Sequence, residues 1–175
     1  MQAFLSSVET RAFGIAHIAT GNRDDALDIV QETMMKLVQN YSQHPESEWK
    51  PLFYSILQTK IQDWRRRQTV RNRFRVWFHR DDDEDETEDP LEQVSGDAQL
   101  APDFQLENTQ FSQQLDKALR RLSPQQQQAF LLRLWEGMDI QQTAKAMKCS
   151  ESSVKTHYAR ALERLREALG DHYGE

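Results

Sequence analysis

Apolar residues recur at intervals of three and four along most of this chain, the spacing that lines one face of an α-helix. Leu5, Val8, Ala12, Ile15, Ala16 and Ala19 predict a first amphipathic helix, closed by the Thr-Gly-Asn sequence at 20–22. Ala26, Ile29, Val30, Met34, Leu37, Val38 and Tyr41 predict a second. Residues 42–47 contain His, Pro and Glu without periodicity and read as a loop. Trp49, Leu52, Phe53, Ile56, Leu57, Ile61 and Trp64 then mark a third helix, with Pro51 acceptable in its first turn. Three such helices can close a small core.

The pattern resumes at Phe111, Leu115, Leu119 and Leu122. Ser123-Pro124 is a start signal, Ser as N-cap and Pro at the first helical position. Ala129, Phe130, Leu131 and Leu134 carry that helix to Gly137, which can take the left-handed conformation of a helix terminus. Asp139 offers an oxygen to the amides of a short helix with Ile140, Ala144 and Met147 inward and Lys145 and Lys148 outward. A turn at 148–150 leads to a longer helix capped by Ser150 and stopped by Gly170, burying Val154, Tyr158, Ala161, Leu162, Leu165 and Leu169. Ser152, Ser153, Lys155, Thr156, Ala159 and Arg160 remain outside. Short and basic side chains on one helix let its backbone approach base edges while its cations reach phosphates, so 138–169 reads as a helix-turn-helix. The same two-helix pattern also fits an ordinary helical hairpin with a solvated face. No strand pattern and no internal repeat is present. The expected fold is all-α: two small helical domains, 1–80 and 109–175, joined by a linker at 81–108.

Charge changes this picture. The formal net charge is -6, which argues against nucleic acid until its distribution is read. Residues 1–80 carry 12 Lys+Arg against 8 Asp+Glu, residues 81–107 carry none against 12, and residues 108–175 carry 10 against 8. Two mildly basic halves therefore flank an acidic connector, which repels itself and is expected to be a flexible tether. Arginines at 65, 66, 67, 71, 73, 75 and 80 are interleaved with Trp64, Phe74, Trp77 and Phe78, with no acid among them. Guanidinium groups suit phosphates and aromatic rings suit unstacked bases. On the second helix Asp24, Asp28 and Glu32 are spaced by four, with Gln31 and Met35 beside them. They read as dipole-compensating acids and a Glu32–Lys36 pair, or as a docking face for a basic partner.

Candidate chemistry is sparse. The single cysteine, Cys149, excludes an internal disulfide. His17, His44, His79, His157 and His172 lack the close second ligand of a zinc site, and there is no phosphate-binding glycine loop. Neither catalysis nor a cofactor is expected. No apolar stretch approaches the roughly 20 residues of a membrane span, so a cytoplasmic chain without membrane insertion is expected.

The order of parts resembles a bacterial RNA polymerase sigma factor of the extracytoplasmic-function (ECF) class. Residues 25–33, Asp-Ala-Leu-Asp-Ile-Val-Gln-Glu-Thr, look like the family's polymerase-binding helix. The run from Leu122-Ser123-Pro124 through Glu136-Gly137 to 153–161, Ser-Val-Lys-Thr-His-Tyr-Ala-Arg-Ala, looks like its promoter-reading fourth region. The resemblance implies core RNA polymerase and promoter DNA as partners, with an anti-sigma factor as a further candidate. It implies that Asp28, Gln31, Glu32 and Met35 dock on the polymerase. It places Tyr41, Ser42, His44, Trp49, Lys60, Trp64, Arg65, Arg66 and Arg67 at the minus-ten element, which must be melted. Arg133, Ser152, Ser153, Lys155, Thr156, His157 and Arg160 would meet the minus-thirty-five element, and the acidic linker would occupy the polymerase's RNA channel. The chain departs from the usual family residues at Gln58-Thr59 and Ser152-Ser153. Two other readings remain at this stage: a free-standing helix-turn-helix regulator, and a helical polymerase-binding adaptor that uses its acidic run as a nucleic-acid decoy.

Overall fold

A computed structural model describes residues 1–78 and 109–170; the acidic connector lies outside the described residues. All the regular structure described is helical. Helix α1 spans Gln2–Thr20, α2 Arg23–Tyr41 and α3 Glu46–Phe78. In the second half α4 spans Thr109–Arg121 and α5 Pro124–Phe130, continued by a π-helical turn over Leu131–Trp135. Helices α6, Ile140–Met147, and α7, Glu151–Gly170, complete the order among the described residues.

Local chemistry sets most of these boundaries. Gly21 ends α1 in the left-handed region (φ 67°), its N–H donating to the His17 carbonyl at 2.8 Å. Asn22 then starts α2 by accepting from the Asp25 N–H at 3.0 Å. Ser123 and Gln126 form a reciprocal capping box for α5, and Asp139 and Gln142 form another for α6. Between α6 and α7, Lys148 adopts φ 54°, the sole positive φ at a non-glycine residue among the described residues.

Several expectations need correction. The third helix does not stop near Trp64 but runs 33 residues, because no Gly or Pro lies between 52 and 78 and its Arg and Gln residues are good helix formers. It also starts at Glu46, inside the expected loop. Val38 and Leu134 are exposed rather than buried. On α2 Thr33 takes the inward position, its hydroxyl donating to the Ile29 carbonyl at 2.7 Å. On α5 the π turn is responsible: Glu136 N–H reaches back five residues to the Leu131 carbonyl (3.0 Å), so the wider turn buries both Leu131 and Leu132 and rotates Leu134 outward. In α6 the deepest side chains are Thr143 and Ala146, with Ile140 and Met147 half-buried.

The core joins both halves. Phe53, Leu57 and Ile61 of α3 pack with Ile15, Leu37 and their neighbours from α1 and α2, and Leu119, Leu131, Leu132, Ala161 and Leu165 belong to the same cluster. Fully burying a Leu, Ile or Phe contributes about 1.5–3 kcal/mol. The halves meet because α3 is buried along a second line. Lys50, Tyr54, Ile61 and Arg65 lie at helical spacing, and α6 packs against α3. Lys50 Nζ donates to the Glu136 carbonyl at 2.8 Å and lies 3.6 Å from its carboxylate, whose side chain is 1% exposed. Arg65 donates to Gln127 at 2.9 Å, and Lys148 to the Thr59 hydroxyl at 3.4 Å. Trp135 of the π turn lies against Gly14 of α1, where a Cβ would come within 3.0 Å of the indole.

Candidate binding surfaces

The first surface lies on α2. Ala26, Ile29, Val30, Thr33 and Leu37 face the core, which turns Asp28, Gln31, Glu32 and Met35 to solvent. Met35 is 59% exposed, and Leu27 and Val38 are exposed beside it. At 100° per residue Leu27, Gln31, Met35 and Val38 share one strip with Asp28 and Glu32 along its edge. An apolar centre with a charged edge is the composition of a protein-docking face. Glu32 pairs with Lys60 of α3 at 2.6 Å, not with Lys36.

The second group does not form one cluster. Tyr41, Ser42 and His44 lie at the α2–α3 connection, with the His44 ring edge-on to Tyr41 at 5.2 Å and its Nδ1 3.0 Å from Glu48. Trp49 is in the core, 9% exposed and 5.9 Å from the Phe4 ring. Trp64 is half-buried; the indole nitrogens of both tryptophans are buried without a hydrogen-bond partner. Fifteen residues of helix separate the two, about 22 Å at 1.5 Å per residue. Lys60 is engaged by Glu32 and Arg65 by Gln127, where burial lowers the guanidinium's pKa from its ordinary value. Arg66 pairs loosely with Asp63 at 3.8 Å and stays exposed, as does Arg67.

The third surface is on α7. Ser150 caps the helix by accepting from the Ser153 N–H at 3.1 Å, and Val154 and Ala161 are fully buried. Ser152, Lys155, Thr156 and Arg160 are thereby exposed, while Ser153 and His157 are half-buried at the margin. Arg133 has a different setting: it donates to the Met138 carbonyl at 2.5 Å and lies 5.7 Å over the Tyr158 ring, bracing the approach to α6 against α7.

The chain matches two family models in the order of these surfaces. Residues 4–71 match Sigma-70 region 2 and residues 112–165 match Sigma-70, region 4. It is 31% identical over 150 residues to the ECF RNA polymerase sigma factor SigX of Bacillus subtilis, covering 85% of this chain and 72% of that one. The chain belongs to the ECF sigma factors. Another relative, ECF RNA polymerase sigma factor SigE of Mycolicibacterium smegmatis, is 26% identical over 167 residues, 94% of this chain and 60% of SigE. Among solved structures, the sigma factor RpoE of Bartonella quintana, crystallised in complex with the anti-sigma factor NepR, superposes with a TM-score of 0.59. It is 25% identical, with 97% of this chain and 98% of RpoE covered.

What sequence reasoning missed in this ECF factor is the line along α3 that receives the second half. The apolar pattern of α3 passes over Lys50 and Tyr54, yet Tyr54 is fully buried. Burial and the neighbouring Glu136 carboxylate push the Tyr54 hydroxyl's pKa upward. The available signal was the spacing of Lys50, Tyr54, Ile61 and Arg65, a stripe parallel to the apolar one. Among the described residues no group of His, Cys, Asp and Glu could hold a metal, and no helix is long and apolar enough to cross a membrane.

Proposed function

We propose that this chain is a cytoplasmic, dissociable promoter-specificity subunit that binds core RNA polymerase and directs transcription initiation, with no catalysis of its own. The observation that carries this is the ordered pair of region 2 and region 4 matches on one chain. Residues 1–80 act as the polymerase-binding and minus-ten domain, 81–108 as linker and 109–175 as the minus-thirty-five domain. The strip of Asp28, Gln31, Glu32 and Met35 docks on polymerase. Tyr41, Ser42, His44 and the Trp64–Arg67 turn handle the melted element, with Trp49 holding the shape of the α3 start from within the core. Lys155, Thr156 and Arg160 meet duplex phosphates and base edges. Each DNA contact is weak alone and becomes effective when polymerase holds both units at fixed spacing. RpoE was crystallised with an anti-sigma factor, and a partner of that kind is part of this reading.

The test is run-off transcription by core bacterial polymerase on the fragment upstream of this chain's own coding region, with co-elution on a sizing column in parallel. The wild-type chain gives a discrete start. Lys155→Ala with Arg160→Ala abolishes that start and still co-elutes with polymerase; loss of both would count against the assignment. Asp28→Lys with Glu32→Lys loses co-elution, and unchanged affinity would remove the docking strip. A wild-type chain that separates from polymerase yet binds duplex DNA would be a free-standing regulator.

A further inference from the structure

The family match to region 2 ends at residue 71, but α3 continues to Phe78, with residues 71–77 exposed. Seven further residues of helix extend it about 10 Å at 1.5 Å per residue. Its surface is organised. Val70, Phe74 and Trp77 fall at i, i+4 and i+7 and form one exposed stripe, with Trp77 71% exposed and its ring 6.5 Å from that of Phe74. At 100° per residue Arg67 and Arg71 flank the stripe on one side, and Arg66 and Arg73 on the other. All four arginines are exposed.

We propose that this extension, residues 66–77, is a binding surface for single-stranded nucleic acid: bases stack on Phe74 and Trp77 while the two arginine flanks hold the phosphates. Two observations favour a nucleic-acid strand over an acidic protein helix. Residues 64–78 contain no acid, so the charge complements a continuous polyanion. The surface also begins at Arg66 and Arg67 on the same helix, which the minus-ten reading already uses, so a strand leaving those contacts runs onto it. The inference rests on the minus-ten reading for that placement, and adds a contact that lies mostly beyond the family's matched region.

The experiment is fluorescence anisotropy of a labelled 12-nucleotide single-stranded DNA with the full chain, between 50 and 200 mM salt, alongside co-elution with core polymerase. The acid-rich residues 81–107 follow closely, so the full chain includes any competition they offer. Arg67→Gln, Arg71→Gln and Arg73→Gln together weaken binding at least tenfold and reduce the slope of log affinity against log salt by about 2, three contacts at about 0.7 each. Phe74→Ala with Trp77→Ala weakens binding about fivefold or more at unchanged slope. Circular dichroism checks that both variants keep the wild-type helical content; the Arg→Lys triple, which keeps the charge, retains the wild-type slope. Single-strand binding that is absent, or unchanged in both variants, overturns the proposal. So does unchanged single-strand binding with lost polymerase co-elution, which would make the surface a protein-docking face. A wild-type chain that binds the oligonucleotide through these residues but never joins polymerase would sink the sigma-factor reading and leave this one standing.

Discussion

His17 faces the seam between α1 and α4 with little contact with water, stacked on Phe13 at 5.6 Å between ring centroids. Burial lowers its pKa from 6.5; the Arg120 guanidinium, and to a lesser degree Arg23, act in the same direction, while the Asp116 carboxylate opposes them. The folded chain therefore binds fewer protons at this site than the unfolded one just below pH 6.5. Its contribution to stability is fully present above that value and declines as the pH falls toward the lowered folded pKa. The melting temperature should drop between pH 7 and pH 5.5, and His17→Gln should flatten the drop. Equal slopes in thermal melts of the two proteins would assign the pH dependence elsewhere. On the α4 side, Asp116 and Arg120 form an i,i+4 pair: Arg120 Nε donates to Oδ2 at 2.6 Å, while Asp116 Oδ1 is buried without a partner.

At the scale of the element, α6 is the most dependent on its ends. Eight residues are too few to hold a helix in water, where the unfavourable nucleus is not repaid below about 12–15 residues. What stabilises it is packing on α3 and α7 and the reciprocal cap, in which Asp139 accepts from the Gln142 N–H at 2.7 Å and Gln142 from the Asp139 N–H at 3.2 Å. Asp139→Ala removes the cap's carboxylate and should cost about 1 kcal/mol. Urea unfolding measures it as a lower midpoint at unchanged slope. The preceding π turn matters more for placement than for stability. It moves Trp135 onto Gly14 and Glu136 onto Lys50, contacts a regular helix of the same sequence would not have aimed there.

At the scale of the whole molecule, the two halves are docked, and the docking engages Arg65, which the proposed minus-ten site also uses. Arg65 donates to Gln127 and Lys148 to Thr59, so a nucleic-acid strand at Arg65 competes with the C-terminal half. The close approach of Trp135 to Gly14 offers a way to separate the halves. Gly14→Leu places a side chain where even a Cβ meets the indole at 3.0 Å, and the ring belongs to a different half, so the N-terminal core is left intact. The variant should show a larger radius of gyration by small-angle scattering with unchanged helical circular dichroism. An unchanged radius would mean that the polar contacts from Lys50 to Arg65 suffice to hold the seam.

The amino-acid sequence by itself determined the helical elements and most of their ends, because three-and-four periodicity, caps such as Ser123 and Asp139, and the stop at Gly21 act within a few residues of themselves. It also determined the chemistry of α7's outer face, since burying Val154 and Ala161 leaves Lys155, Thr156 and Arg160 no other side to occupy. Tertiary structure alone decided the rest. Whether Tyr54 and Glu136 are buried depends on a partner helix distant in sequence, and a polar stripe on α3 looks the same to a local pattern whether water or α6 covers it. The phase change at the π turn, which exposes Leu134 and buries Leu132, is equally invisible to any fixed period. Periodicity reports which faces an element can bury; which of them it does bury is fixed only when the whole chain has packed.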